Sequence, residues 1–114
     1  MLPYRTSGTL FFLWLGIITG WAQTRADSLL KELEGARTDR ELYDANVKLS
    51  GEFQKVNPER SKQYAEAALK LAQRLQDKKL SADAYHALGN ALSSLGRYDE
   101  ALKTDSVCLK LRQQ

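Results

Sequence analysis

Cysteine occurs once in this 114-residue chain, at Cys108, so no internal disulfide framework can staple it. Histidine also occurs once, at His86, which leaves little material for a metal centre or an acid–base pair. Two prolines and seven glycines leave room for long helices. Neither sign of charge dominates: the formal balance is +3, and the charges after residue 23 alternate without forming a basic block. A concentrated positive patch for nucleic acid is therefore excluded. No useful stretch alternates with period two, and no glycine-rich phosphate loop occurs, since Gly89 and Gly96 stand singly. What remains is rich in alanine, leucine, lysine, glutamate and glutamine after residue 25, all good helix formers.

The first 22 residues read as an address. Met1 to Gly8 is polar and carries Arg5, the only charge among the first 23 residues. Thr9 through Trp21 is apolar, and Gly20-Trp21-Ala22 ends it on small residues three before and directly before a cut. That layout is a secretory signal peptide, residues 1–22, leaving Gln23 first in the mature chain. A retained anchor is the alternative, but the apolar run falls short of the ~20 residues a span needs. The expectation is a secreted or periplasmic protein with no stable membrane span after cleavage near Ala22.

From Thr24 apolar residues recur with helical spacing. Ala26, Leu29, Leu30 and Leu33 mark a lead-in helix within residues 23–37, ended by Gly35. Thr38-Asp39-Arg40-Glu41 is a capping box, in which a hydroxyl and a carboxylate satisfy orphan amides. Leu42, Ala45, Leu49 and Phe53 then share one helical face. Asn57-Pro58 starts a third helix, with Asn57 as cap and Pro58 at the first helical position. Ser61, Tyr64, Ala65, Ala68, Leu69, Ala72 and Leu75 form its apolar stripe. Gln76-Asp77-Lys78-Lys79 is read as a polar connection. A fourth helix places Ala84, Tyr85, Leu88, Ala91, Leu92 and Leu95 inward, and Gly96 ends it in a left-handed turn. The fifth starts near Tyr98 and presents Ala101, Leu102, Cys108 and Leu109. The fold class is all-α.

The helices repeat. Leu49-Ser50 and Phe53 match Leu88-Gly89 and Leu92 at a shift of 39 residues; Ser61, Ala65, Ala68 and Leu69 match Ala101, Asp105, Cys108 and Leu109 at a shift of 40. Such a period marks a solenoid of antiparallel helix pairs. Two helices that approach closely need small side chains where they touch, so Gly89 is expected against Ala101 and Ser50 against Ser61. Tyr85, Leu88, Leu92 and Tyr98 are expected to fill the space around the crossing.

Tyr85-x2-Leu88-Gly89-x2-Leu92, then Gly96-x-Tyr98-x2-Ala101, resembles the tetratricopeptide repeat family. The departures are Asp105, where that family usually carries an aromatic, and Gln113, where it often has proline. The resemblance covers roughly Leu42 to Arg112 and gives two pairs, about 39–76 and 79–112, within residues 38–114. The wider layout resembles the N-terminal exported segment of Bacteroidetes-type sensor histidine kinases and related regulators.

The resemblance implies a non-catalytic module that binds a peptide or protein along the first helices of its pairs. The positions it points to are Asp44, Val47, Gly51 and Gln54 in the first pair and Asp83, His86, Asn90 and Ser93 in the second. Asn90 suits a backbone-holding role because an amide both donates and accepts. The competing reading leaves these polar side chains simply facing water. A truncated sensory input region of a receptor is the other functional reading. Arrays usually need about three repeats to stand alone, so self-association through the C-terminal helix is a further expectation.

Enzymatic chemistry has little to work with. Asp83 lies three residues before His86 on one helical face, yet a zinc site takes three or four protein ligands. Cys108 falls at the place of buried Ala68 and reads as a core thiol, with an intermolecular disulfide as the other option. No enzyme, metal or cofactor is expected.

Overall fold

The computed structural model describes residues 25–114. Five helices follow one another there: α1 (residues 25–35), α2 (Asp39–Phe53), α3 (Pro58–Arg74), α4 (Lys78–Ser94) and α5 (Tyr98–Arg112). No strand occurs among the described residues, and none of their helices is long and apolar enough to cross a membrane. The signal-peptide reading of residues 1–22 lies outside the described residues.

Local chemistry sets each boundary. The Thr38 hydroxyl accepts the Glu41 amide at 3.1 Å, closing the first half of the capping box. The Glu41 carboxylate reaches back to the amide of Arg37 at 2.9 Å, one residue earlier than the box expects. Asn57 accepts from the Arg60 amide, and Pro58 occupies the first turn of α3, where its missing N–H has no cost. Asp77 caps α4 through the Leu80 amide, so the 76–79 stretch is not simply a connection: Lys78 and Lys79 already belong to α4. At α5 no side chain caps the helix; Arg97 instead grips Glu100 through two bonds of 2.8 and 2.9 Å.

Helices α3 and α4 end in the same way. The amide of Asp77 returns to the Ala72 carbonyl and that of Gln76 to Gln73; Arg97 and Gly96 repeat the pattern on Leu92 and Ser93. These paired bonds are a Schellman turn, which needs a left-handed residue. Gly96 supplies it at φ 77°, as its position in the sequence predicts. The equivalent residue at α3 is Gln76 at φ 53°, which the sequence does not reveal. A side chain there costs on the order of 1 kcal/mol.

Each helix packs on its neighbours, α2 on α3, α3 on α4 and α4 on α5, while α2 touches α4 across the gap between pairs. Residue α1 side chains join α2 through Arg25–Glu52 and Glu32–Lys48, both at 3.4 Å. The core gathers Tyr43, Ala68, Leu71, Ala72, Leu80 and Ala84, with Leu42, Val47 and Leu69 against it. Small alanines on α3 and α4 let those two helices approach, and the larger leucines plug the margins.

Several apolar residues assigned to the interior lie further out. Leu75 is exposed at the end of α3 and Tyr98 at the start of α5, while Leu102 and Leu109, which the fifth helix presents, are exposed as well. Periodicity shows which side of a helix is apolar; it does not supply the element that covers it. Tyr64, Tyr85, Leu88 and Leu95 are half-buried, whereas Tyr43, Asn46, Leu71, Leu80 and Ala82 join the buried set unforeseen.

Candidate functional site

The two crossings named by the repeat pattern are both close, by different chemistry. Ser50 and Ser61 are fully buried where α2 meets α3. The Ser61 hydroxyl donates to the Ser50 carbonyl at 2.6 Å, so the Ser50 hydroxyl is left to donate to Ser61 Oγ at 3.2 Å. Near a helix end that carbonyl would otherwise be orphaned, because the Gln54 amide turns to Gly51 instead. In the second pair, a methyl group added at Gly89 would collide with the Asp105 carboxylate and touch the Ala101 carbonyl. Gly89 thus makes room for α5 and for the aspartate that replaces the usual aromatic. Leu49 and Leu92 are buried beside these crossings, and Phe53 is half-buried and stacked on Tyr64 at 5.7 Å.

Close packing within each pair sets α2 and α4 side by side, and a groove of about 550 Å³ runs between them. Asp44, Val47, Gly51 and Gln54 line it from α2; Asp83, His86 and Asn90 line it from α4. Ser93, the remaining position implied by the repeat resemblance, is exposed on α4 but is not among the lining residues. Sequence reasoning missed Arg40, Tyr43, Lys48, Leu80 and Ala87. All five sit three or four residues from a named position, so helical spacing alone could have found them.

Tyr43 is the tie between the pairs. Its ring is buried in the core and its hydroxyl donates to the Leu80 carbonyl at 2.8 Å. Burial, with Asp83 adding to it, pushes the phenol up to about 12; Arg40 opposes the shift and Asp44 and Asp77 reinforce it. The proton therefore stays on Tyr43 at any physiological pH, and the bond to α4 with it.

The groove's charged side chains are engaged within the chain. Arg40 pairs with Asp44 at 3.4 Å, Asp83 with Arg112 at 3.1 Å, and Lys48 with Glu32 at 3.4 Å. Among the described residues, the Gln54, His86 and Asn90 side chains make no hydrogen bond within the chain. Two are amides and one an imidazole, each left with its polar atoms uncommitted. Gly51 leaves open space on the α2 side, where an added methyl group would meet nothing within 4 Å. The arrangement suits an uncharged polar strand laid over Val47 and Ala87, its backbone reaching amides at Gln54 and Asn90.

His86 also borders a smaller cleft with Asp105, Cys108, Leu109 and Arg112. Among the described residues, no three His, Cys, Asp or Glu side chains form a group that could hold a metal ion. Cys108 is buried, in register with Ala68 of the first pair, and is unpaired.

Comparison with known proteins gives a consistent placement. Residues 22–106 match the family model described as the SusR N-terminal TPR domain. A curated relative, tetratricopeptide repeat protein 29 of Trypanosoma brucei brucei (strain 927/4 GUTat10.1), is 39% identical over 62 residues. That match covers 54% of this chain and 13% of the relative, so the chain spans only a small part of that protein's length. No solved structure matches.

Proposed function

The chain belongs to the SusR N-terminal TPR (tetratricopeptide repeat) family, and on that premise we propose that it is an exported, non-catalytic module holding an extended peptide in the α2/α4 groove. The observation that carries this reading is the convergence of Asp44, Val47, Gly51, Gln54, Asp83, His86 and Asn90 on one groove. Its intramolecular ion pairs leave amides and an imidazole as the free polar groups. Recognition then proceeds through the ligand's backbone and small apolar side chains, with little dependence on salt.

Gly51→Leu tests it. The position has open space, so the new side chain fills the groove without disturbing the helix packing. Peptides selected from an array by the wild-type chain are expected to lose binding to Gly51→Leu and to a His86→Ala, Asn90→Ala double variant, at unchanged helicity. Equal binding by all three chains would remove the groove from the function. Export is tested separately by N-terminal sequencing of the protein from the extracellular or periplasmic fraction, where Gln23 is the expected first residue.

A second reading makes this the sensory input region of a larger signalling receptor. The family description favours it, since it names an N-terminal domain. A gene whose frame continues past Gln114 into a membrane span and a kinase would select this reading. A stop codon there would select the free-standing module.

A further inference from the structure

Lys48 belongs to two spaces at once. It lines the α2/α4 groove, and it also borders a cleft of about 360 Å³ between α1 and α2. Asp44, one turn earlier, is shared in the same way. These two side chains form the wall between the groove and the space beside α1.

The charged residues that line the groove are neutralised with unequal security. Arg40 and Asp44 hold each other one turn apart on α2, and Asp83 is held by Arg112 of α5, which packs against α4. Lys48 instead takes its partner, Glu32, from the lead-in helix, at 3.4 Å. Every described side chain of α1 is exposed or half-buried, and the cleft opens where α1 and α2 would otherwise close. Both members of the Lys48–Glu32 pair are more than half exposed, so the pair adds little to stability. A competing carboxylate takes the ammonium group without undoing any packing, because the flexible four-carbon stem of lysine carries it from one side of the wall to the other. With Glu32 in place each groove charge is matched. Without it, one positive charge faces the ligand.

Resting on the groove reading above, we propose that Lys48 decides whether the groove accepts an acidic side chain within its peptide, and that Glu32 on α1 holds that choice closed. The lead-in helix is then a specificity element, although it contributes no residue to the groove lining. An aspartate or glutamate of the ligand exchanges with Glu32 on the Lys48 ammonium group, and the apolar contacts to Val47 and Ala87 stay as they are.

Peptide titrations test the proposal, with circular dichroism confirming that each variant keeps its helicity. The probes are a neutral, end-capped peptide selected by the wild-type chain and copies of it carrying one glutamate at each position in turn. The capped terminus assigns any gain to the side chain. Glu32→Gln is expected to bind one of the glutamate copies about fivefold tighter than the neutral peptide, where the wild-type chain binds the two about equally. The gain should vanish when Lys48→Gln is added and persist when Lys48→Arg is added instead. About 1 M salt, which shortens screening to ~3 Å, should abolish it. A gain of the same size in the wild-type chain, or one that survives Lys48→Gln, overturns the proposal. Gly51→Leu separates the two claims: if it loses the neutral peptide while Glu32→Gln shows no gain, the groove stands and the role of Lys48 falls. If Gly51→Leu keeps the neutral peptide, or the wild-type chain selects none, both fall.

Discussion

The two helix crossings solve one steric problem in opposite ways. At the first, Ser50 and Ser61 keep their side chains small and use them, the Ser61 hydroxyl replacing the amide that the Ser50 carbonyl has lost and the Ser50 hydroxyl closing on Ser61 Oγ. At the second, Gly89 offers no side chain, and the room it leaves is taken by the Asp105 carboxylate. The first crossing is held by directional bonds and the second by an absence of atoms. The difference predicts that the first fails when chemistry is removed, while the second fails when volume is added.

The largest effect is expected at Gly89. A leucine there drives into α5 and lowers stability by about 3 kcal/mol, measured by urea unfolding. Gly89→Ala is far milder, because only the tip of Asp105 must swing aside and alanine gains up to about 1 kcal/mol of helix propensity. Comparable losses in the two variants would break the contrast drawn above.

Ser61→Ala comes next. It leaves the buried Ser50 carbonyl and hydroxyl without their partner, at a cost of about 2 kcal/mol. Ser50→Ala keeps the bond to the carbonyl and should cost about half as much. If the two substitutions proved equal, the carbonyl bond would not be the one that matters.

Tyr43→Phe sharpens the comparison by loosening the tie between pairs rather than either crossing. Losing the bond to Leu80 is expected to cost about 1 kcal/mol at neutral pH. The sign at alkaline pH follows from the raised phenol. An unfolded tyrosine releases its proton near 10 while the folded one holds it to about 12, so the folded form carries more protons in that window. Stability from this group is complete below the unfolded value and declines as pH rises through the folded one. Thermal melts between pH 9 and 12 should show that decline shrink in Tyr43→Phe. Identical alkaline slopes in both chains would dismiss Tyr43 as its source.

The smallest effects belong to the two matched turns. Gly96→Ala forces a side chain into a left-handed site and should cost about 1 kcal/mol. Gln76→Gly removes that same strain from α3 and should stabilise the chain by about 0.5 kcal/mol. Opposite signs in chemical unfolding would establish that the turns are geometrically equivalent and differ only in who occupies them.

Helix starts were legible because caps are local: Thr38 and Asn57-Pro58 act within three residues of themselves. Gly96 was legible because glycine advertises a left-handed turn, and Gln76 was not because glutamine does not. The close crossings could be read from the repeat, since small residues recur at matching places. Spacing could have placed Tyr43 on the groove face, but not its bond to a backbone carbonyl 37 residues away. Tyr98 was read as apolar correctly and as filling the crossing wrongly, since it is exposed at the start of α5. The groove itself was legible only through the family pattern. Nothing in composition says that Asp44 and Asp83 border the same space.

Gly51 has a consequence for how chains of this kind diverge. In the interior, at Ala65, Ala68 or Ala84, a larger residue has no room, since all three are fully buried. At Gly51 the backbone is ordinary right-handed helix and the space beside it is empty, so almost any substitution is compatible with folding. The α2 wall of the groove is therefore open to change at a position that the packing does not constrain. A substitution there changes the groove while leaving the architecture as it is.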